Sequence, residues 1–176
     1  MPAKPKTRAL KEYEAAYRGR VALMPASAVG TLLYLLVNSD TGARVRDRAA
    51  GRAGSAADWA ALLAWARSNA ARAGVDPSDA QAVEAWAASL RVVSASARSI
   101  AEAFTGRRNP NAGRGRLRPL VSAGLLLEAA PAQGRRAPLW VFEPVEFTRE
   151  PGYEDEREPG YEDEREPEDA RLPEWY

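Results

Sequence analysis

The sequence predicts a mainly helical body that ends in a small β-hairpin and is followed by an acidic, disordered tail. Two short apolar runs, at 125–127 and 139–142, flank a polar loop that contains glycine, as the strands of a hairpin do. Negative charge, proline and glycine are concentrated in the C-terminal segment, and this composition does not favour folding. Apolar residues recur at helical spacing in several alanine-rich segments, most clearly at Val29, Leu32, Leu33 and Leu36.

Charge is distributed unevenly along the 176 residues, although the 25 basic and 24 acidic side chains nearly balance. Residues 1–148 carry 21 basic and 12 acidic side chains, so their net charge is +9. Residues 149–176 carry 4 basic and 12 acidic side chains, so their net charge is −8. The segment REPGYEDE at 149–156 is repeated letter for letter at 157–164, and a period of eight residues is too short to bury a core. We therefore expect a basic body and a disordered acidic tail.

Histidine and cysteine are absent from the chain, which excludes disulfides, thiolate zinc sites and imidazole-dependent catalytic triads. Acidic residues near expected helix starts, such as Asp76 and Asp79, are typical of helix caps rather than of catalytic groups. The sequence therefore predicts a protein that is not an enzyme, with no catalytic residue, no metal site and no cofactor. No apolar run has the length of a membrane span, and the N-terminus lacks the apolar core of a secretory signal. We expect a cytoplasmic protein without a membrane partner.

The N-terminal residues 1–19 are expected to form an arm that contains a helix from Thr7 to Arg18. A second helix follows Pro25, which suits a first helical turn, and ends at the turn formers of 38–42. Residues 43–54 are mostly arginine, alanine and glycine with little to bury, and they predict a loop or a frayed helix.

Two further helices are predicted inside an insertion that spans residues 43–93. Ser55 and Asp58 have the spacing of a capping box and open the first helix, which runs to about residue 73. Asp76-Pro77 opens the second helix. Its apolar face carries Val83, Trp86 and Leu90. Because alanine-rich helices offer few large apolar side chains, we expect a core or a dimer interface to contain Trp59, Trp65 and Trp86.

Residues 94–104 predict a short helix that Ser94 or Ser96 caps. A polar, glycine-containing break at 105–111 ends this helix. Its inward residues are Ala97, Ile100, Ala101 and Phe104.

A second helix is expected after the break, because Leu117, Leu120 and Val121 follow at helical spacing and Gly124 supplies a stop. Pro119 removes a backbone hydrogen bond and crowds the preceding turn. We therefore expect this helix either to start late, near Arg116, or to be kinked at the proline.

These two helices, the strand at 125–127, a basic loop and the strand at 139–142 together resemble a winged helix-turn-helix DNA-binding domain. In that family a positioning helix precedes a recognition helix, and a β-hairpin wing with a basic tip follows. The helix that ends before residue 42 looks like the first helix of plasmid and phage regulators. The resemblance implies that residues 20–148 form one winged-helix domain with the insertion at 43–93. The residues that carry it lie in the two helices and the two strands: Ile100, Ala101, Phe104, Leu117, Leu120, Gly124, Leu125, Leu126, Trp140 and Phe142.

Clustered arginines independently support DNA binding, because residues 107–136 contain seven arginines and one acid, a net charge of +6. Cations that neutralise phosphates supply much of the affinity for DNA, and arginine also grips guanine. The alternative is a solvated surface, since the chain holds 22 arginines and 3 lysines. The resemblance places Arg114, Arg116 and Arg118 at the start of the recognition helix and Arg135 and Arg136 at the hairpin tip. The full set of expected DNA-contacting residues is Arg107, Arg108, Asn109, Asn111, Arg114, Arg116, Arg118, Arg135 and Arg136.

The sequence therefore predicts a sequence-specific double-stranded DNA-binding protein, a homodimeric repressor or other transcription regulator of a phage or plasmid. One alternative with the same fold is a replication or partition initiator that binds repeated DNA sites. Another is a protein-interaction module that acts through the acidic tail. The end of that tail, LPEWY at 172–176, has the character of a docking motif for a protein partner.

Overall fold

The computed structural model describes Lys11, residues 17–51, residues 53–144 and Phe147. The helix expected from Thr7 to Arg18 lies outside the described residues except at Lys11, Tyr17 and Arg18, and the acidic tail lies wholly outside them. The elements follow one another in this order: α1 (Arg18–Val21), α2 (Ala26–Val37), β1 (Asp40–Thr41), α3 (Gly42–Ala49), α4 (Ala53–Asn69) with a 3₁₀ turn (Ala70–Ala73), α5 (Ala80–Ser89), β2 (Arg91–Ser94), α6 (Ala97–Thr105), α7 (Pro110–Ser122), β3 (Leu126–Ala130) and β4 (Leu139–Phe142).

The strands of the described chain form one antiparallel sheet in the order β1-β2-β4-β3. β2 pairs with β4, with Val92 opposite Val141, and β3 pairs with the other edge of β4. The predicted hairpin is confirmed, because β4 occupies the expected residues 139–142 and β3 overlaps the expected run at 125–127. The protein is thus mainly helical, with a small four-stranded antiparallel sheet.

Strand β2 differs from the sequence prediction, which assigns Leu90 to a helix and 91–93 to the helical insertion. Helix α5 ends at Ser89, and the backbone of Leu90 is already extended. Val92 and Val93 are both buried, and they belong to different apolar clusters. A short strand with two buried faces has no alternation of apolar and polar residues, so its sequence resembles the end of a buried helix.

Strand β4 is buried on both faces, and each of its four residues is at most 9% exposed. Leu139 and Val141 pack with the apolar side chains of α3, α4 and α5. Trp140 and Phe142 pack with those of α2, α6 and α7. Because successive side chains of a strand point to opposite faces, this alternation makes the sheet the middle of three layers. The strands of the hairpin that the sequence predicts as a small wing therefore belong to this central layer. The loop that connects them is exposed at residues 131–135.

Helix α2 buries a face that is rotated from the predicted stripe. Leu32 and Leu36 are buried as expected, and Leu35 joins them. Val29 and Leu33 are only half-buried. The rotation arises because α2 packs against α7 as well as against the sheet, and the hydrophobic spacing alone does not fix the direction of the second contact.

Residues 42–49, predicted as a loop or a frayed helix, form the regular helix α3. The Thr41 side chain caps it by accepting a hydrogen bond from the backbone N–H of Arg44. Val45 and Gly42 are its buried residues. A Cβ on Gly42 would meet the Ala87 carbonyl oxygen at 1.9 Å, so the helix packs through backbone contact that no apolar periodicity reveals.

The insertion contains three helices in the described chain, where the sequence predicts two. Helix α4 begins at Ala53, two residues before the expected cap Ser55. Helix α5 begins at Ala80 rather than at Pro77, because the Asp79 side chain caps it by accepting hydrogen bonds from the N–H groups of Gln81 and Ala82. Asp76 instead closes a local turn, in which its carboxylate accepts from the N–H and the hydroxyl of Ser78 at 2.8 and 2.7 Å.

The three tryptophans of the insertion lie in its apolar core or pack against it. Trp86 is buried and stacks on Trp65 with 6.0 Å between ring centroids. Phe147 lies 6.2 Å from Trp65 and 6.0 Å from Trp86. Trp59 is half-buried against the same cluster. The expected core position is confirmed for Trp86, whereas Trp59 and Trp65 are half-buried against the core and the expected dimer interface stays a prediction.

Helices α6 and α7 are in close backbone contact at Gly113. A Cβ built on this residue would meet the Ala97 carbonyl oxygen at 1.8 Å and its carbonyl carbon at 2.5 Å. Gly115, on the same helix, has no heavy atom within 4 Å of the corresponding position. The spacing of the two helices thus depends on the missing side chain of Gly113.

We expect Gly113→Ala to lower the free energy of unfolding by about 1–3 kcal/mol, because the helices must separate or shift to admit the methyl group. Gly115→Ala is the matched control, and we expect it to raise stability by up to ~1 kcal/mol through helix propensity. Urea denaturation of both variants measures the difference. Equal stability of the two variants would contradict the close approach.

Candidate nucleic-acid interface

Helix α7 starts earlier than the sequence predicts. Asn109 is its N-cap, and the Asn109 side-chain oxygen accepts a hydrogen bond of 3.0 Å from the N–H of Asn111. Pro110 occupies the first turn, where its missing N–H has no consequence. Of the two expected alternatives, the late start near Arg116 is therefore wrong. Pro119 lies inside the helix, where it forgoes one backbone hydrogen bond.

The N-terminus of α6 and the C-terminus of α7 are capped as the sequence predicts. The Ser96 hydroxyl caps α6 by accepting from the N–H of Ser99, as one of the two predicted alternatives. Gly124 has a φ of 71°, and its N–H donates to the Val121 carbonyl at 3.0 Å. The N–H of Leu125 donates to the Leu120 carbonyl at 3.0 Å, which completes a Schellman motif and turns the chain directly into β3.

A groove of about 800 Å³ lies between α7, the start of α6 and the loop that joins β3 to β4. We call it the arginine groove. Among the described residues that line it, five are arginine and none is acidic. Its apolar lining includes Leu117, Trp140 and Val121, and Val121 is 41% exposed although the sequence places it on the buried face. The five arginines are Arg98, Arg114, Arg118, Arg135 and Arg136.

The predicted arginines of α7 separate into two groups. Arg114 and Arg118 are one turn apart, are both exposed and line the groove. Because the helix begins at Pro110, they lie in its middle rather than at its start. The guanidinium of Arg114 donates to the Asn111 side-chain oxygen at 3.1 Å, which orients it on the helix surface.

Arg116 does not line the groove. Its guanidinium carbon lies 4.2 Å from the centroid of the Phe104 ring, a cation–π contact. One of its nitrogens donates to the Ser27 carbonyl at 3.4 Å, so the half-buried side chain bridges α7, α6 and α2. This position indicates a packing role for Arg116.

The hairpin loop contributes two arginines to the groove, of which one is exposed and the other is held in an ion pair. Arg135 is exposed at the groove. Arg136 donates to the Asp58 carboxylate of α4 at 2.6 Å, and its buried Nε has no hydrogen-bond partner in the part of the chain that the structure describes. The ion pair holds the loop against the helical insertion, and the sequence separation of 78 residues explains why the sequence did not reveal it.

The remaining predicted residues flank the groove without lining it. Arg107 and Arg108 are exposed in the turn between α6 and α7. Arg108 donates to the Glu102 carboxylate at 2.7 Å, and this hydrogen bond with its charge attraction raises the pKa of the Arg108 guanidinium above its ordinary value. The side-chain oxygens of Asn109 and Asn111 are engaged within α7, as described above.

Arg98 is the residue of this site that the sequence analysis missed. It stands 16 positions before Arg114 and outside the basic segment, so no local signal connects the two. Only the packing of α6 on α7 brings both to the same groove.

No family model, no curated protein and no solved structure matches the chain. Within the described ranges, no helix is long and apolar enough to cross a membrane. In the same part of the chain, no three acidic side chains converge in a way that would hold a metal ion. The function is therefore inferred from the geometry and charge of the arginine groove.

We expect Arg116→Ala to lower the free energy of unfolding by on the order of 1 kcal/mol, because the cation–π contact and the packing of its stem are lost. Arg118→Ala removes the same charge from an exposed position of the same helix, and we expect a change within about 0.5 kcal/mol. Urea denaturation compares the two. A pattern in which Arg118→Ala is the more destabilising change would contradict the packing role.

Proposed function

We propose that the protein binds double-stranded DNA through the arginine groove and acts as a transcription regulator of winged helix-turn-helix type. The observation that carries this proposal is the convergence of five arginines and no acidic residue, among the described residues, between a surface helix and a hairpin loop. The order of α6, α7, β3, loop and β4 supports the resemblance to that family.

Four of the five groove arginines are available to phosphates, and the fifth, Arg136, is paired with Asp58. In the part of the chain that the structure describes, Arg98, Arg118 and Arg135 make no ion pair, and Arg114 bonds only to a neutral amide. Cations that are not already neutralised release counterions from DNA when they bind it, and this release drives affinity.

Helix α7 has dimensions that suit recognition of bases. Its 13 residues span about 20 Å, and an α-helix fits the major groove, which is about 12 Å wide. Arg114 and Arg118 project from the same side, and a guanidinium pairs with two acceptors of guanine at once. The hairpin loop beside the helix brings Arg135 to the adjacent backbone.

A dimer gives this arrangement its specificity as a regulator. One short helix reads few base pairs, whereas two helices related by two-fold symmetry read half-sites about one DNA turn, or 34 Å, apart. We extend the proposal to a homodimer on a paired site, in keeping with a regulator of a phage or plasmid.

Selection of bound duplexes from a random pool, with the full chain, tests the proposal directly. We expect an enriched motif whose affinity falls steeply with salt. Absence of salt-sensitive binding to any duplex would contradict the proposed function.

Substitution of the two groove arginines of α7 is expected to weaken binding to the selected site. Arg114→Ala and Arg118→Ala each remove a free cation, and a base-reading arginine contributes about 1–3 kcal/mol at its own position. Arg67→Ala, from an exposed position of α4 across the sheet, is the matched control and should leave the affinity unchanged. Fluorescence anisotropy with the selected duplex and with single-base variants measures both effects. Equal affinity of all three variants would remove α7 from the interface.

Arg135→Ala is expected to lower affinity about equally for all sequences and to reduce the slope of log affinity against log salt by about one. The reason is that an arginine on a hairpin loop contacts the DNA backbone more readily than base edges. Arg136→Ala should also lower the melting temperature, because it leaves Asp58 without its ion pair. An unchanged salt slope in Arg135→Ala would place the loop away from DNA.

A further inference from the structure

The arginine groove has an apolar floor that phosphate contacts do not cover. Leu117 and Trp140, which are 6% and 9% exposed, contribute to its lining, and Val121, which is 41% exposed, is the most accessible of the three. The groove volume of about 800 Å³ lies within the range of about 300–1,000 Å³ that is typical of ligand pockets. The chemistry of the groove therefore suits an occupant that offers an aromatic or aliphatic group together with several carboxylates.

The acidic tail of this chain contains such a unit twice. Each copy of REPGYEDE, at 149–156 and 157–164, holds one tyrosine, four acidic residues and one arginine, a net charge of −3. Three of the carboxylates directly follow the tyrosine. An anion of this kind forms charge-assisted hydrogen bonds with guanidinium groups, which are roughly twice as strong as neutral ones.

The tail is long enough to reach the groove from the place where it leaves the body. Phe147 is held against Trp65 and Trp86, on the insertion side of the sheet. Tyr161 lies 14 residues further on, and that length of chain spans up to about 48 Å. A domain of this size has a radius of gyration of only about 14 Å. The extended linker is longer than the diameter of a sphere with that radius of gyration, about 36 Å, so the second repeat has the length to reach α7.

We propose that the acidic repeats occupy the arginine groove of their own chain and exclude DNA from it. The tyrosine of a repeat lies on the floor formed by Leu117, Val121 and Trp140, and the carboxylates that follow it pair with Arg114, Arg118 or Arg135. The covalent link supplies a high local concentration of the repeat, so a weak contact suffices. The exclusion of DNA rests on the proposed function, whereas the docking itself does not.

A spin label in the tail of the full chain tests the docking. The chain contains no cysteine, so Ala170→Cys offers one attachment site and leaves both repeats intact. We expect the nitroxide to broaden the amide resonances of α7 and of residues 132–138. Tyr153→Ser/Tyr161→Ser in the labelled chain should restore these resonances. Failure to broaden them, or broadening that the tyrosine substitutions leave unchanged, would overturn the proposal.

A charge-matched pair of variants separates groove binding from general attraction. Arg118→Gln/Arg135→Gln removes two charges from the groove and should abolish the broadening. Arg46→Gln/Arg67→Gln removes two charges from exposed positions of α3 and α4 and should preserve it. The amide spectrum of each variant also shows whether it is folded. An equal loss of resonance broadening in both double variants would show that the groove is not the docking site.

Mixing an isotope-labelled chain with a spin-labelled chain of natural isotope content reports docking between copies. Broadening that occurs only in this mixture places the tail of a second copy in the groove, and it would overturn docking within one chain.

Addition of the selected duplex tests the exclusion of DNA. We expect DNA to release the tail and to restore the groove resonances. With the tail docked in nine chains of ten, Tyr153→Ser/Tyr161→Ser would raise the apparent DNA affinity about tenfold at low salt. Broadening that persists in the DNA complex would overturn the exclusion. Tail docking in a chain that binds no duplex would support the docking and contradict the proposed function. Binding of the duplex by a chain whose tail does not dock would support the proposed function and overturn the docking.

Discussion

The burial of strand β4 on both faces is the constraint on which the rest of the fold depends. Leu139 and Val141 are part of one apolar cluster, and Trp140 and Phe142 are part of the other. Each fully buried side chain of this kind contributes about 1.5–3 kcal/mol relative to an exposed one, so the four together hold both helical layers on one strand. The indole N–H of Trp140 donates to the Ala95 carbonyl at 3.0 Å, which satisfies the one polar atom of these side chains and fixes the strand beside α6.

The arginine groove is a consequence of this arrangement. Because β4 is fixed between the layers, the loop before it emerges next to α7, and the Arg136–Asp58 ion pair adds a second attachment on α4. The missing side chain of Gly113 brings α7 close to α6, so Arg98 joins the arginines of α7. The two walls of the groove therefore belong to different layers of the protein, and the sheet sets the distance between them.

The fold also divides the basic segment into arginines that hold the structure together and arginines that remain available. Arg116 covers the Phe104 ring, and Arg136 is paired with a carboxylate. Arg118 and Arg135 face the groove without an ion pair in the described chain. Net charge alone does not distinguish these groups.

The sequence by itself determined the elements whose signals are local. The cap at Ser96, the stop at Gly124 and the strand at 139–142 depend on neighbours within a few residues, and the structure has them as predicted. Strand β2 and helix α3 were not predictable in this way, because a strand with two buried faces shows no alternation and α3 packs through the backbone at Gly42. Which arginines face the groove was likewise decided by tertiary structure. Side chains of one type in one segment acquire different roles only when helices and strands distant in the sequence come to lie beside them.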